Sequence, residues 1–223
     1  MFTGLIAETG TLLSMEKKAG AARLRIAAPT LARSLATGDS IAVSGVCLTA
    51  LAITPDGFEA DLLDETLKRT SINELAPGSS VNLELPTPAG TPLGGHVVQG
   101  HVDGVGRLTS LTAVTSGRPE ETDWLLRIAA PAALSRYIVE KGSLSVNGIS
   151  LTVAAVEAGA EGSADVTIAI IPHTYAATNL HSLNAGDPIN LEVDVLAKYA
   201  EKQRSRVAKT ETITEASLIA MGF

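Results

Sequence analysis

Apolar and polar residues alternate along much of the chain. Leu24-Arg25-Ile26 and Leu126-Arg127-Ile128 have a period of two, as do Ser40-Ile41-Ala42-Val43 and Ser143-Leu144-Ser145-Val146. That period predicts strands with one buried face. Ser44-Gly45 and Asn147-Gly148 fall between apolar runs, where such dipeptides mark a tight hairpin. Short strands spaced roughly ten residues apart predict a small antiparallel barrel. Two short helices interrupt each set of strands. Pro29 and Pro131 suit a first helical position, with Gly38 and Gly142 just past the end. Asp64 and Thr174 suit the cap of the second helix.

The patterns come in pairs because the chain repeats itself. Ser40 to Thr49 lies on Ser143 to Thr152 at an offset of 103. Gly4-Leu5-Ile6, Gly10 and Leu12 lie on Gly100-His101-Val102, Gly106 and Leu108 at 96. Leu24, Ile26 and Pro29 match Leu126, Ile128 and Pro131 at 102, and Leu75, Gly78 and Val81-Asn82-Leu83-Glu84 match Leu183, Gly186 and Ile189-Asn190-Leu191-Glu192 at 108. Four blocks stay in order, and the period is too long for a solenoid. The expected organisation is all-β: two tandem Greek-key-like barrels, residues 1–95 and 96–195, with short helices. Pro86 to Gly95 holds three Pro and three Gly and forms the boundary. The repeat implies that residues 1–95 alone form a complete barrel with its own pocket. Beyond it, Val195 to Arg204 is rich in helix formers and predicts a C-terminal helix in the tail 196–223. Val195, Leu196, Tyr199 and Ala200 share one face of that helix, suited to joining subunits. Thr212-Ile213-Thr214-Glu215 reads as a capping box before Leu218-Ile219-Ala220-Met221.

Composition narrows the function. The 223 residues are 45% hydrophobic and 18% charged, enough for packed cores and against wholesale disorder. A net charge of −7 argues against a nucleic-acid binder. No apolar run approaches the roughly 18 residues of a spanning helix. The start, Met1 to Glu8, lacks the basic and apolar regions of a signal peptide, so a cytoplasmic location is expected. Cys47 is the only cysteine, which excludes an internal disulfide and a cysteine-built zinc site.

Chemistry-bearing residues also pair. Cys47 and Ser150 hold the same position, each before Leu-Thr. Small residues there serve packing, and both also hydrogen-bond a ligand or act as nucleophiles beside a base. His101 replaces the first copy's Leu5, so the copies differ there. His96 stands too far from it for an obvious metal pair, and no His, Cys and Asp spacing suits a metal. There is no P-loop, dinucleotide fingerprint or nucleophile elbow. Thr66 and Thr174 stand near the start of the second helix, placed to cap it or to touch a ligand.

Met1-Phe2-Thr3-Gly4, Gly45 to Thr49, Gly94 to Asp103, Asn147 to Thr152 and Asn190 to Tyr199 resemble riboflavin synthase of the alpha-chain type, over about residues 1–200. The resemblance implies two lumazine-binding barrels and a homotrimer held by C-terminal helices. It implies a transferase that dismutates two molecules of 6,7-dimethyl-8-ribityllumazine without metal or organic cofactor. It allows association with lumazine synthase. For the first pocket it implies Phe2, Gly4-Leu5-Ile6, Ser40, Cys47-Leu48-Thr49 and the run Asp61, Leu62, Leu63, Asp64, Glu65, Thr66. For the second it implies Gly100-His101-Val102, Lys141, Ser150-Leu151-Thr152 and the run Ile171, Pro172, His173, Thr174, Tyr175, Ala176. His101, Ser150, Cys47 and Asp194 are the expected catalytic groups. His173 departs from the family, standing where an acid is expected. The alternative class is a non-catalytic lumazine- or flavin-binding antenna protein, which needs one working pocket.

Overall fold

The computed structural model describes residues 1–119, 121–207 and 219. The first repeat forms strands β1 (Glu8–Lys18), β2 (Ala21–Ala27), β3 (Ser40–Val43), β4 (Val46–Thr49), β5 (Leu51–Thr54), β6 (Gly57–Leu63) and β7 (Ser80–Glu84). All pairings are antiparallel, in the order β4-β3-β7-β1-β2-β6-β5. The second repeat forms β8 (Gly104–Ala113), β9 (Trp124–Ala130), β10 (Ser143–Val146), β11 (Ile149–Ala158), β12 (Ala164–Ile170) and β13 (Pro188–Val193). These close into a barrel in the order β10-β11-β12-β9-β8-β13. The first barrel falls short of closure because the strand matching β11 breaks at Ala50, and Ala52 has φ 43°. Alternation does what it predicts. Leu24, Ile26, Ile41, Val43 and Leu83 fill one core, and Leu126, Ile128, Leu144, Val146 and Leu191 fill the other.

Both hairpins form. Ser44 and Gly45 have φ of 44° and 80°, and Asn147 and Gly148 have 46° and 82°, the left-handed pair a two-residue turn needs. The helix edges depart from expectation. Strand β6 runs straight into α1 (Asp64–Arg69), and β12 into α3 (Pro172–Ala177), so extended Leu63 and Ile171 are the cap residues. Asp64 and Thr174 lie inside these helices, and neither helix has a side-chain cap bond. Pro131 is the cap of α2 (Ala132–Ser135), and Pro29 precedes the turn Leu31–Ser34. The C-terminal helix α4 spans Val195–Val207. The capping box at Thr212 to Glu215 and, Ile219 apart, the stretch Leu218 to Met221 lie outside the described residues.

The repeats meet about a pseudo-twofold axis. Their hairpin turns touch, since a Cβ on Gly45 would lie 2.8 Å from the Gly148 nitrogen. The segments leading into the barrels pair as well. Phe2 N–H donates to the Val98 carbonyl at 2.7 Å and Val98 N–H to the Phe2 carbonyl at 3.1 Å. Because this pair is antiparallel, the two leading segments continue in opposite directions.

Candidate functional site

That antiparallel crossing exchanges the leading segments. The Ser150 N–H donates to the Gly4 carbonyl at 2.8 Å, and the Cys47 N–H donates to the Gly100 carbonyl at 2.9 Å. Gly4 to Ile6 therefore lies on the second barrel, and Gly100 to Val102 on the first. Glycine is needed at both crossings. Gly4 and Gly100 have φ of 75° and 78°. A Cβ on Gly4 would sit 2.6 Å from the Ser150 nitrogen, and one on Gly100 would sit 3.0 Å from the Cys47 nitrogen.

Two matching cavities result. The first, about 170 Å³, is lined by Val46, Cys47, Thr66, Thr70, Gly100, His101 and Val102, with the Glu65–Arg69 ion pair beside them. The second, about 190 Å³, is lined by Gly4, Leu5, Ile6, Ile149, Ser150, Thr174 and Thr178, with His173 and Ala177. The same scaffold shapes both: Thr70 Oγ1 donates to the Thr66 carbonyl and Thr178 Oγ1 to the Thr174 carbonyl, each at 2.7 Å. A larger cleft of about 290 Å³ between the barrels is lined by Ser71, Ser79, Ser182 and Asn147, away from Cys47 and Ser150.

The two sets of residues grouped by sequence are thus interleaved: Gly4-Leu5-Ile6 joins Ser150, and Gly100-His101-Val102 joins Cys47. His101 does not meet Ser150. The histidine that does is His96, whose Nδ1 lies 2.6 Å from Ser150 Oγ. Burial pushes the His96 pKa below the ordinary 6.5, and Asp194 acts in the opposite direction. Asp194 also accepts the Leu196 N–H at 2.9 Å, so it caps α4. Nothing in the spacing of His96 signals this contact, and it has no counterpart in the first repeat.

Other expected residues lie around the cavities. Phe2 is fully buried with Val98 and Ala42, packed by Cys47. Leu48, Leu62 and Leu151 belong to the barrel cores. Tyr175 stacks on Trp124 at 3.9 Å and packs on the second core. Asp61 pairs with Arg23 at 2.7 Å, which lowers the Asp61 pKa. Ser40 pairs with Thr49 in the β3–β4 ladder, and the Lys141 N–H donates to the Val153 carbonyl. Leu63, Asp64, Thr152, Ile171 and Ala176 are exposed outside the cavity walls, and Pro172 is the first residue of α3. Val46, Ile149, Arg69, Thr70, Ala177 and Thr178 complete the walls beyond the residues expected, and the last four fall on the helix-to-turn segments that carry Thr66 or Thr174.

Duplicated barrels, each with a polar cavity closed by its twin, have counterparts among known proteins. The lumazine binding domain matches residues 3–86 and again 99–194. The chain is 47% identical over 203 residues to riboflavin synthase of Mycobacterium tuberculosis (strain ATCC 25618 / H37Rv), covering 91% of this chain and 97% of that protein. It is 38% identical over 226 residues to riboflavin synthase of Bacillus subtilis (strain 168), covering both fully. Among solved structures, LumP complexed with 6,7-dimethyl-8-(1'-D-ribityl) lumazine superposes with a TM-score of 0.73 at 25% identity, and LumP complexed with riboflavin with 0.75 at 26%. Each covers 86% of this chain and 99% of its own. Two matched domains in register with the two barrels, and relatives aligned end to end, make this chain a member of the riboflavin synthase family.

Proposed function

We propose that the protein is a riboflavin synthase, a transferase that dismutates two molecules of 6,7-dimethyl-8-ribityllumazine. Four carbons leave one molecule and join the other, giving riboflavin and 5-amino-6-ribitylaminouracil. The atoms of two substrates equal those of the two products, so no outside oxidant or reductant enters. The observation that carries the reading is the pair of equivalent cavities: a reaction between two identical molecules needs two similar sites. The cavities lie on opposite sides of the Phe2–Val98 pair, with Gly4 and Gly100 each two residues on from it. Each cavity alone falls below the ~300 Å³ lower end of small-molecule sites, whereas two facing each other reach it. In this reading the reacting pair forms between the first cavity of one subunit and the second of its neighbour, in a homotrimer. Helix α4 offers the joining surface, with Leu196 66% and Tyr199 61% exposed while Lys198 ties the helix to Asp103 at 2.7 Å.

The chemistry needs a base for the acidic 7-methyl group of one lumazine and a nucleophile at C7 of the other. Neutral His96 with its proton on Nε2 accepts the Ser150 hydroxyl proton at Nδ1, and Asp194 favours the imidazolium that results. Ser150 so activated, or a water held by it, adds in the second cavity. His101 and Cys47 occupy the first, where His101 is placed to transfer protons. Holding the two rings together supplies much of the acceleration, up to several kcal/mol. A cytoplasmic location and contact with lumazine synthase belong to the same reading. An antenna protein needs one occupied site, yet here both cavities keep polar groups. The test is direct: purified protein incubated with the lumazine should develop riboflavin absorbance. Tight lumazine binding with no riboflavin formed would replace the enzyme by a binding protein.

A further inference from the structure

Each barrel ends on the same triplet, Asn82-Leu83-Glu84 in β7 and Asn190-Leu191-Glu192 in β13. In a strand, residues two apart share a face. The leucines enter the two cores, so each asparagine and glutamate faces the junction between repeats, where all four are buried. Glu84 accepts from the Thr3 N–H and hydroxyl, both at 2.7 Å, and from the Gly4 N–H at 3.0 Å. Glu192 accepts from the N–H groups of Gln99 at 2.7 Å, Gly100 at 3.0 Å and His101 at 2.9 Å. The asparagines reach across. Asn190 Nδ2 donates to the Ser44 carbonyl at 2.8 Å, and its Oδ1 accepts the Ser71 N–H at 2.6 Å. Asn82 Nδ2 donates to the Asn147 carbonyl at 2.9 Å, and its Oδ1 accepts the Asn179 N–H at 2.7 Å.

We infer that these triplets are positioning elements that build each cavity from the opposite repeat. Glu192 and Asn190 belong to the second barrel, yet every bond just given for them serves the first cavity. Glu192 fixes Gly100 and His101 over Cys47. Asn190 fixes the turn before Cys47 and the residue after Thr70. Glu84 and Asn82 do the same for Gly4, Ser150 and Thr178 in the second cavity. A buried carboxylate is costly unless its oxygens are filled. Burial raises the Glu192 pKa, and the Gln99 and His101 amides draw it back down. Three donors converging on each glutamate hold a crossing segment that has no strand partner beyond Phe2 or Val98. Both repeats are thereby made interdependent: neither cavity keeps its shape unless the other barrel is folded.

The role in catalysis rests on the synthase reading, but its test does not. Cys47 is half-buried under Gly100 and is the only thiol, so its rate of modification by a chromogenic aromatic disulfide reports the first cavity alone. Glu192→Gln keeps the shape and puts an NH2 group where an acceptor oxygen stood. With the melting temperature monitored, it should speed Cys47 modification about tenfold, the effect of one lost hydrogen bond to a charged group. Asp165→Asn, on the exposed face of β12 in the second barrel, should leave the rate within about twofold, as distant sites do not couple. Equal rates for wild type and Glu192→Gln, or equal acceleration by both variants, would overturn the inference. Should Glu192→Gln fail to fold, amide exchange of the wild-type chain decides: Gln99, Gly100 and His101 should be protected like β13, and exchange as fast as that of Gly90 would overturn it. If riboflavin does not bind the wild-type protein, the synthase reading fails while the labelling result stands.

Discussion

His96 and Ser150 meet across 54 residues of sequence, at a hydrogen bond of 2.6 Å. Because burial disfavours the imidazolium, His96 stays neutral to lower pH than a free imidazole. The acid limb of kcat should therefore lie below pH 6.5, and His96→Gln should abolish that limb while lowering kcat by roughly 10²-fold, the usual worth of a placed base. A kcat–pH profile of both proteins checks this; an unchanged limb in the variant assigns it to another group. Stability follows with a definite sign. As pH falls below about 6.5, unfolded His96 takes up a proton that the folded ring resists, so the folded state loses stability there. Denaturant midpoints should fall over that window in the wild type and fall less in His96→Gln. The crossing glycines give a prediction about packing. Gly100→Ala meets backbone at 3.0 Å with φ 78°, whereas Gly78→Ala, with φ 93°, meets nothing within 4 Å. Gly78→Ala should cost about 1 kcal/mol for its left-handed backbone, and Gly100→Ala at least about 1–2 kcal/mol more from the collision. Thermal melts compare them, and equal losses would mean that the crossing segment yields freely.

Strands, hairpins and the C-terminal helix were legible because their signals are local. Period-two alternation in Leu24 to Ile26 or Leu126 to Ile128 needs no partner to be read, and Asn147-Gly148 announces its own turn. Helix starts were misread where an extended strand enters the helix without a pause, so Leu63 and Ile171 hold the cap position in place of polar residues. The exchange of leading segments was not legible. Gly4-Leu5-Ile6 has the same local pattern whichever barrel it lies on, and only the antiparallel Phe2–Val98 pair decides. His96 escaped for a related reason: its partner is distant, and the linker that carries it has no repeated counterpart. Helix α4 keeps exposed Leu196 and Tyr199 on one side while Lys198 binds Asp103 on another. Deleting residues 196–223 should leave both barrels folded and ligand-binding but give monomers with severely reduced turnover. Sedimentation with an activity assay decides, and a monomer with full turnover would place both reacting molecules within one chain.

For the molecule as a whole, two barrels with separate cores share their working surfaces. The first core draws its buried residues from Leu12 to Leu83 alone, so residues 1–95 should fold by themselves. Their cavity, however, lacks a wall, because Gly100, His101 and Val102 come from the other repeat. Gly4 to Ile6 of their own leading segment is at the same time left without the barrel it covers. A complete, independent pocket, which the repeat alone suggests, is thus replaced by a half-site and a loose arm. Gly4-Leu5-Ile6 and Gly100-His101-Val102 are repeat equivalents that make the same contact, one to Ser150 and the other to Cys47. The arm of a second fragment therefore fits the missing wall of the first, and the first returns the same contact. Fragments 1–95 should bind riboflavin as twofold pairs, with binding that strengthens as protein concentration rises. Removing residues 1–6 should leave the fragment folded by circular dichroism yet monomeric and at least about tenfold weaker in binding, the loss of roughly 1.4 kcal/mol of wall contacts. Fluorescence titration at several protein concentrations, with sedimentation alongside, separates the outcomes. A monomeric fragment that binds as tightly as the full chain would show that the exchanged segment adds nothing to the first cavity.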